Sequence, residues 1–138
     1  MYLQYNITNK QNMKAGVKGM AKAIRSDIKN FLTQVRQTIK NKNGFHLEDR
    51  EKNMKALINY NIPIDSVKYY IEYLEVEHYS KGPEPDDQDE YDHDWWFFGR
   101  EIDNRMFYIK IRIITKERKQ VVCLSFHPAK YPINFPYK

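Results

Sequence analysis

From Met106 to Ile114 the side chains alternate: Phe107, Ile109, Ile111 and Ile113 are apolar, while Tyr108, Lys110 and Arg112 between them are polar or charged. A period of two over this length belongs to a β-strand with one face in a core and the other open. Trp95 to Ile102 and Gln120 to His127 are β-branched and aromatic runs of the same kind. The pair Asp103-Asn104 predicts a tight turn between the first two strands, and the charged Lys116 to Lys119 a looser one between the last two. Three strands joined this closely form an antiparallel meander, and such a sheet needs something to cover its apolar face.

The preceding segment supplies that cover. Val17, Met20, Ala21, Ile24, Ile28, Phe31, Leu32, Val35 and Ile39 follow the three-and-four spacing of an amphipathic helix that stops near Asn43-Gly44. Its opposite face carries a stripe of Lys18, Lys22, Arg25, Lys29, Arg36 and Lys40, which reads first as a solvated surface. A second helix is predicted over Arg50 to Asn59, and a third from Asp65 as N-cap to Leu74, separated by the break Asn61-Ile62-Pro63. The fold class is therefore α+β, N-terminal helices followed by an antiparallel β-meander in one domain spanning 1–138. Residues 1–16 are expected to form a flexible N-terminal segment. Residues 82–94, within KGPEPDDQDEYDHD, form an acidic surface loop, and the tail YPINFPYK a covering segment.

Charge is segregated along the chain. The net charge of +5 divides into +6 over residues 1–81, −8 over 82–104 and +7 over 105–138. Two basic blocks around an acidic one call for a polyanion or an acidic protein as partner. One cysteine, Cys123, excludes an internal disulfide framework, and no apolar run is long enough for a membrane span. A cytoplasmic protein without membrane association is expected.

The chemistry converges where the last two strands pair. With Val122, Leu124 and Phe126 facing the core, Cys123, Ser125 and His127 face the other way. A hairpin about Glu117-Arg118 sets Ile109 against Phe126, Ile111 against Leu124, Lys110 against Ser125 and Tyr108 against His127, so that both apolar faces coincide. One open face then carries a phenol, an imidazole, an ammonium and a guanidinium. Such a set suits cleavage of RNA through its own 2′-hydroxyl: a base removes the proton, cations steady the phosphate, and an acid protonates the leaving 5′-oxygen. It suits equally a basic, aromatic sheet that only binds nucleic acid. His46, His78 and His93 lack such company, and Asp92-His93-Asp94 is a poor metal site without a distant further ligand. No metal or cofactor is expected, and Cys123 is a small filler.

The stretch Ala56 to Lys81, the strand FYIKIRI and the closing LSFH together resemble the MqsR-like toxins of type II toxin–antitoxin systems, within the RelE/ParE-like ribonuclease group. The residues that carry the resemblance are Tyr79 with Lys81, Tyr108 with Lys110, and Ser125-Phe126-His127. His127 stands where the family has a lysine, and Ser80 separates a tyrosine and lysine that the family keeps adjacent. The resemblance implies a RelE-like fold, metal-independent cleavage of mRNA, growth arrest and neutralisation by a cognate antitoxin. Catalytic roles are expected for His127, Tyr108 and Lys81, and substrate contacts for Lys110, Arg112, Tyr79 and Ser125. The alternative is a non-catalytic relative that binds nucleic acid or inhibits a protein target.

Overall fold

A computed structural model of the protein describes residues 22–86, 93–115 and 117–138. The segment 1–16, the first turn of the helix expected from Val17, the carboxylates Asp87, Asp89, Glu90 and Asp92, and Lys116 lie outside the described residues. Helix α1 runs over Arg25–Ile39 and buries Ile28, Phe31, Leu32, Val35 and Ile39, as the spacing predicts. It starts later than its apolar periodicity does. Ile24 is extended, and Lys22 forms an isolated parallel bridge with Gly82, so this stretch is tied to the sheet before the helix begins. The Asp27 carboxylate accepts the Ile24 N–H at 3.4 Å and fixes the new start.

Three residues of strand β1, Phe45–Leu47, separate α1 from helix α2 (Glu51–Asn59) and helix α3 (Ile64–Glu72). The break falls where expected, with Asn61 at a φ of 54°. Pro63, not Asp65, is the N-cap of α3, because its preset φ leads directly into the first turn. After a short 3₁₀ turn, β2 (Tyr79–Glu84), β3 (Trp95–Ile102), β4 (Arg105–Ile114) and β5 (Gln120–Pro128) complete the sheet. Its order is β1-β5-β4-β3-β2. The predicted meander is its centre, and Asp103 and Asn104, with φ of 50° and 63°, make the tight turn.

The edges correct the expectation of a purely antiparallel meander after the helices. β1 pairs parallel with β5, which makes the sheet mixed, and it lies between helices in the chain. Three residues are too few for any period to show. At the other edge, Gly82, Pro83 and Glu84 belong to β2 and not to a loop. An edge strand tolerates proline because one side of its ladder is unused. Gly82 has a φ of 108°, and a Cβ there would lie 2.7 Å from the Trp95 carbonyl oxygen, so glycine is required.

One face of the sheet packs against the helices. Phe31 stacks on Trp96 with centroids 4.2 Å apart, Tyr60 meets Phe107 edge-on at 5.3 Å, and Tyr70 lies over Phe126. The tail crosses the opposite face. Ile133 and Phe135 approach Gly99 so closely that a Cβ there would sit 2.7 Å from the Phe135 ring. Tyr137 then reaches Tyr79 and donates to the Ala23 carbonyl at 2.6 Å.

Two irregularities decide what faces outward. In β5 the register slips between Lys110 and Ile111, so Ile111 opposes Cys123, not Leu124. The expected pairs of Tyr108 with His127, Ile109 with Phe126 and Lys110 with Ser125 hold; beyond the slip the parity of β5 reverses. Cys123 therefore joins the core, and Val122 sits opposite Arg112. Asn53 of α2 supports the bulge: its amide donates to the Leu124 carbonyl at 3.0 Å, and its Oδ1 accepts the Phe126 N–H at 2.9 Å. In β2 a second slip falls at Ser80, because Tyr79 opposes Phe98 while Lys81 opposes Phe97. Tyr79 and Lys81 would share a face of a regular strand; the bulge sends them to opposite faces.

Candidate active site

Tyr108 and His127 are direct cross-strand neighbours on the face away from the helices, with ring centroids 5.6 Å apart. The His127 Nδ1 lies 3.1 Å from the Pro128 carbonyl oxygen. A carbonyl can only accept, so in the neutral imidazole this contact favours the proton on Nδ1 and leaves Nε2 as the acceptor nitrogen. The Tyr108 phenol also packs near Phe97. Burial, and next the Glu84 carboxylate, push its pKa above the ordinary 10.0, while Arg50 pulls the other way. The group is a neutral hydroxyl across the physiological range.

Both side chains line a cleft of about 380 Å³, together with Lys52, Lys81, Lys130 and Tyr131. Four parts of the chain meet there: α2 supplies Lys52, the bulged β2 supplies Lys81, the β4–β5 pair supplies the floor, and the tail supplies a wall. Lys81 reaches the cleft because of the slip at Ser80; its Nζ sits 4.6 Å from the Phe97 centroid and 3.5 Å from Glu84.

A second group of cations lies beside the cleft on aromatic supports. Lys110 Nζ is 5.0 Å from the Trp95 centroid and 5.2 Å from that of Phe97. Burial lowers its pKa from the usual 10.5, Glu84 and Asp86 oppose that, and Arg50 and Lys81 add to it. Arg112 stacks on Trp95 at 4.2 Å and pairs with Asp86 at 3.2 Å, and the same carboxylate accepts the Trp95 Nε1–H at 3.3 Å. The acidic stretch thus brings Asp86 into this cation cluster beside Glu84 at Lys81.

Of the seven expected site residues, Tyr108, His127 and Lys81 converge on the cleft, and Lys110 and Arg112 flank it on the same face. Ser125 shares that face but is 3 % exposed beneath Arg50, whose Nη1 donates to its hydroxyl at 3.1 Å, so it does not reach a ligand. Tyr79 is on the other side of the sheet and fully buried. It donates to the Gly82 carbonyl and accepts the Ala23 N–H at 3.0 Å, which makes it a support of the core and not a substrate contact. Cys123 is likewise buried, and burial raises its thiol pKa, so it is inert.

Lys52, Lys130, Tyr131 and Arg50 were not foreseen. Lys130 and Tyr131 follow β5 within a few residues, a proximity readable once His127 is suspected. Lys52 and Arg50 carried no signal, since only the docking of α2 on β5 brings them close. Among the described residues no group of three His, Cys, Asp or Glu side chains converges to hold a metal ion, and no helix is long and apolar enough to cross a membrane. Comparison with protein-family models, curated proteins and solved structures finds no significant match to the chain.

Proposed function

We propose that the protein is a metal-independent mRNA endoribonuclease with a RelE-like fold, the toxin of a bacterial toxin–antitoxin module of the MqsR-like kind. The observation that carries this reading is the pairing of Tyr108 with His127 at the floor of a cleft ringed by Lys52, Lys81 and Lys130. His127 Nε2 takes the proton of a ribose 2′-hydroxyl, and the freed oxygen attacks the adjacent phosphorus. The P–O5′ bond breaks as the 5′-oxygen takes a proton from the Tyr108 hydroxyl. Lysine ammonium groups balance the charge that grows on the phosphate oxygens. The products are a 2′,3′-cyclic phosphate and a 5′-hydroxyl, and Lys110 with Arg112 holds flanking phosphates.

A toxin of this kind is held inactive by its antitoxin, and an acidic antitoxin segment that covers the cleft competes directly with RNA. RNA incubated with the purified protein in excess chelator is expected to be cut with cyclic-phosphate ends. Activity that is abolished by chelator and restored by a divalent ion sinks the mechanism. RNA that is bound and left intact returns the protein to the binding-module alternative.

A further inference from the structure

His127 lies between two clefts. On its far side from the tail wall is a second cleft of about 370 Å³ that shares Lys52, His127 and Lys130 with the first and adds Lys55 from α2 and Arg105 from β4. The two differ in character. The first carries Lys52, Lys81 and Lys130 but is walled by Phe97, Tyr131 and Ile133, with Tyr131 71 % exposed at its rim; the second, lined also by Tyr60 and Pro128, carries the four cations Lys52, Lys55, Arg105 and Lys130. Lys55 is paired with Glu51 at 2.9 Å, but both side chains are more than two-thirds exposed, so the pair is screened by solvent and readily exchanged for a phosphate.

We infer that the second cleft is a backbone subsite, and that single-stranded RNA crosses His127 with an unstacked base in the aromatic cleft and the following phosphates along Lys55 and Arg105. This deepens, and rests on, the ribonuclease reading. An aromatic-walled cleft next to a groove of four cations matches the alternation of base and phosphate in a single strand, whereas a duplex keeps its bases stacked and out of reach. An acidic peptide offers charge for the groove but nothing planar for the aromatic cleft. The path also gives His127 its position, since a strand that spans both clefts must bend over the imidazole.

The test measures binding of a 2′-O-methyl RNA hexamer, which cannot be cut, to the full chain across a salt series. For the double variant Lys55→Gln/Arg105→Gln the slope of log K against log salt is expected to fall by about 1.4, two contacts at about 0.7 each for single strands. Tyr131→Ala weakens binding without changing the slope. Lys29→Gln on the exposed face of α1, combined with Lys40→Gln at its C-terminal cap, changes neither. A dinucleotide is too short to reach the groove and does not distinguish the double variant from wild type. Wild-type affinity and slope in the double variant, or a double-stranded hexamer bound as tightly as the single strand, overturns the proposal. A groove-dependent hexamer on a protein that never cuts RNA supports the path while removing the ribonuclease reading. Chelator-resistant cleavage with a groove-independent hexamer does the reverse.

Discussion

His127 and Tyr79 came from the same reading of the chain and have opposite surroundings. His127 is half-buried at the floor of a cleft with its Nδ1 turned to the backbone, so Nε2 faces the space a substrate would fill. His127→Ala is expected to lower cleavage by about a hundredfold or more while leaving hexamer affinity nearly unchanged, the usual size of a general acid–base contribution. Single-turnover rates beside binding isotherms check this. Cleavage at the wild-type rate removes the residue from the chemistry. Tyr79 serves stability instead. Burial pushes its pKa up to about 12 from 10.0, so the phenol binds its proton more tightly folded than unfolded. That stability is complete below pH 10 and is lost as pH rises through 10 toward 12, about 3 kcal/mol in all. Tyr79→Phe leaves the Ala23 N–H and the Gly82 carbonyl unpaired, at a cost of about 1–3 kcal/mol at neutral pH, and flattens the alkaline decline. Urea titrations at pH 7 and pH 11 measure both effects, and an unchanged alkaline slope refutes the assignment.

At the scale of elements, the three central strands and their tight turn were legible because alternation is written into neighbouring residues and a type I′ turn accepts Asp-Asn. The helices were legible by their three-and-four spacing, apart from a start that tertiary pairing of Lys22 moved. The bulges were not. A bulge leaves backbone groups without ladder partners, and it persists only where another element satisfies them. At Leu124 that element is α2, through Asn53, with Arg50 adding a bond to the Leu124 carbonyl at 3.2 Å. Asn53→Ala is therefore expected to destabilise the protein by about 3 kcal/mol and to lower cleavage beyond what lost folded protein explains, because the Asn53 Oδ1 also holds the Phe126 N–H, next in the chain to His127. Thermal unfolding and activity per folded molecule separate the two. A loss below about 1 kcal/mol shows that the bulge holds without α2.

Over the whole molecule, the segregated charges fold back on one another. The acidic stretch meets the cations at Glu84 with Lys81 and at Asp86 with Arg112. If the proposed RNA reading holds, these carboxylates compete with phosphate for the same cations. Asp86→Asn keeps an acceptor for the Trp95 Nε1–H and removes the charge. It is expected to tighten hexamer binding about two- to fivefold at low salt, with the gain fading as ionic strength rises. Equal affinity at low salt shows that Asp86 and RNA do not compete. The sequence by itself determined which segments are helices and central strands, that Tyr108 opposes His127, and that the basic blocks bracket an acidic one. Each of these follows from side chains adjacent in the chain or opposite in a short hairpin. Only the tertiary structure decided that Tyr79 and Lys81 part company, that Cys123 turns inward and Ser125 is capped, and that Lys52 joins the cleft. Those outcomes depend on backbone groups and cations finding partners on elements tens of residues away, and no local pattern encodes such a choice.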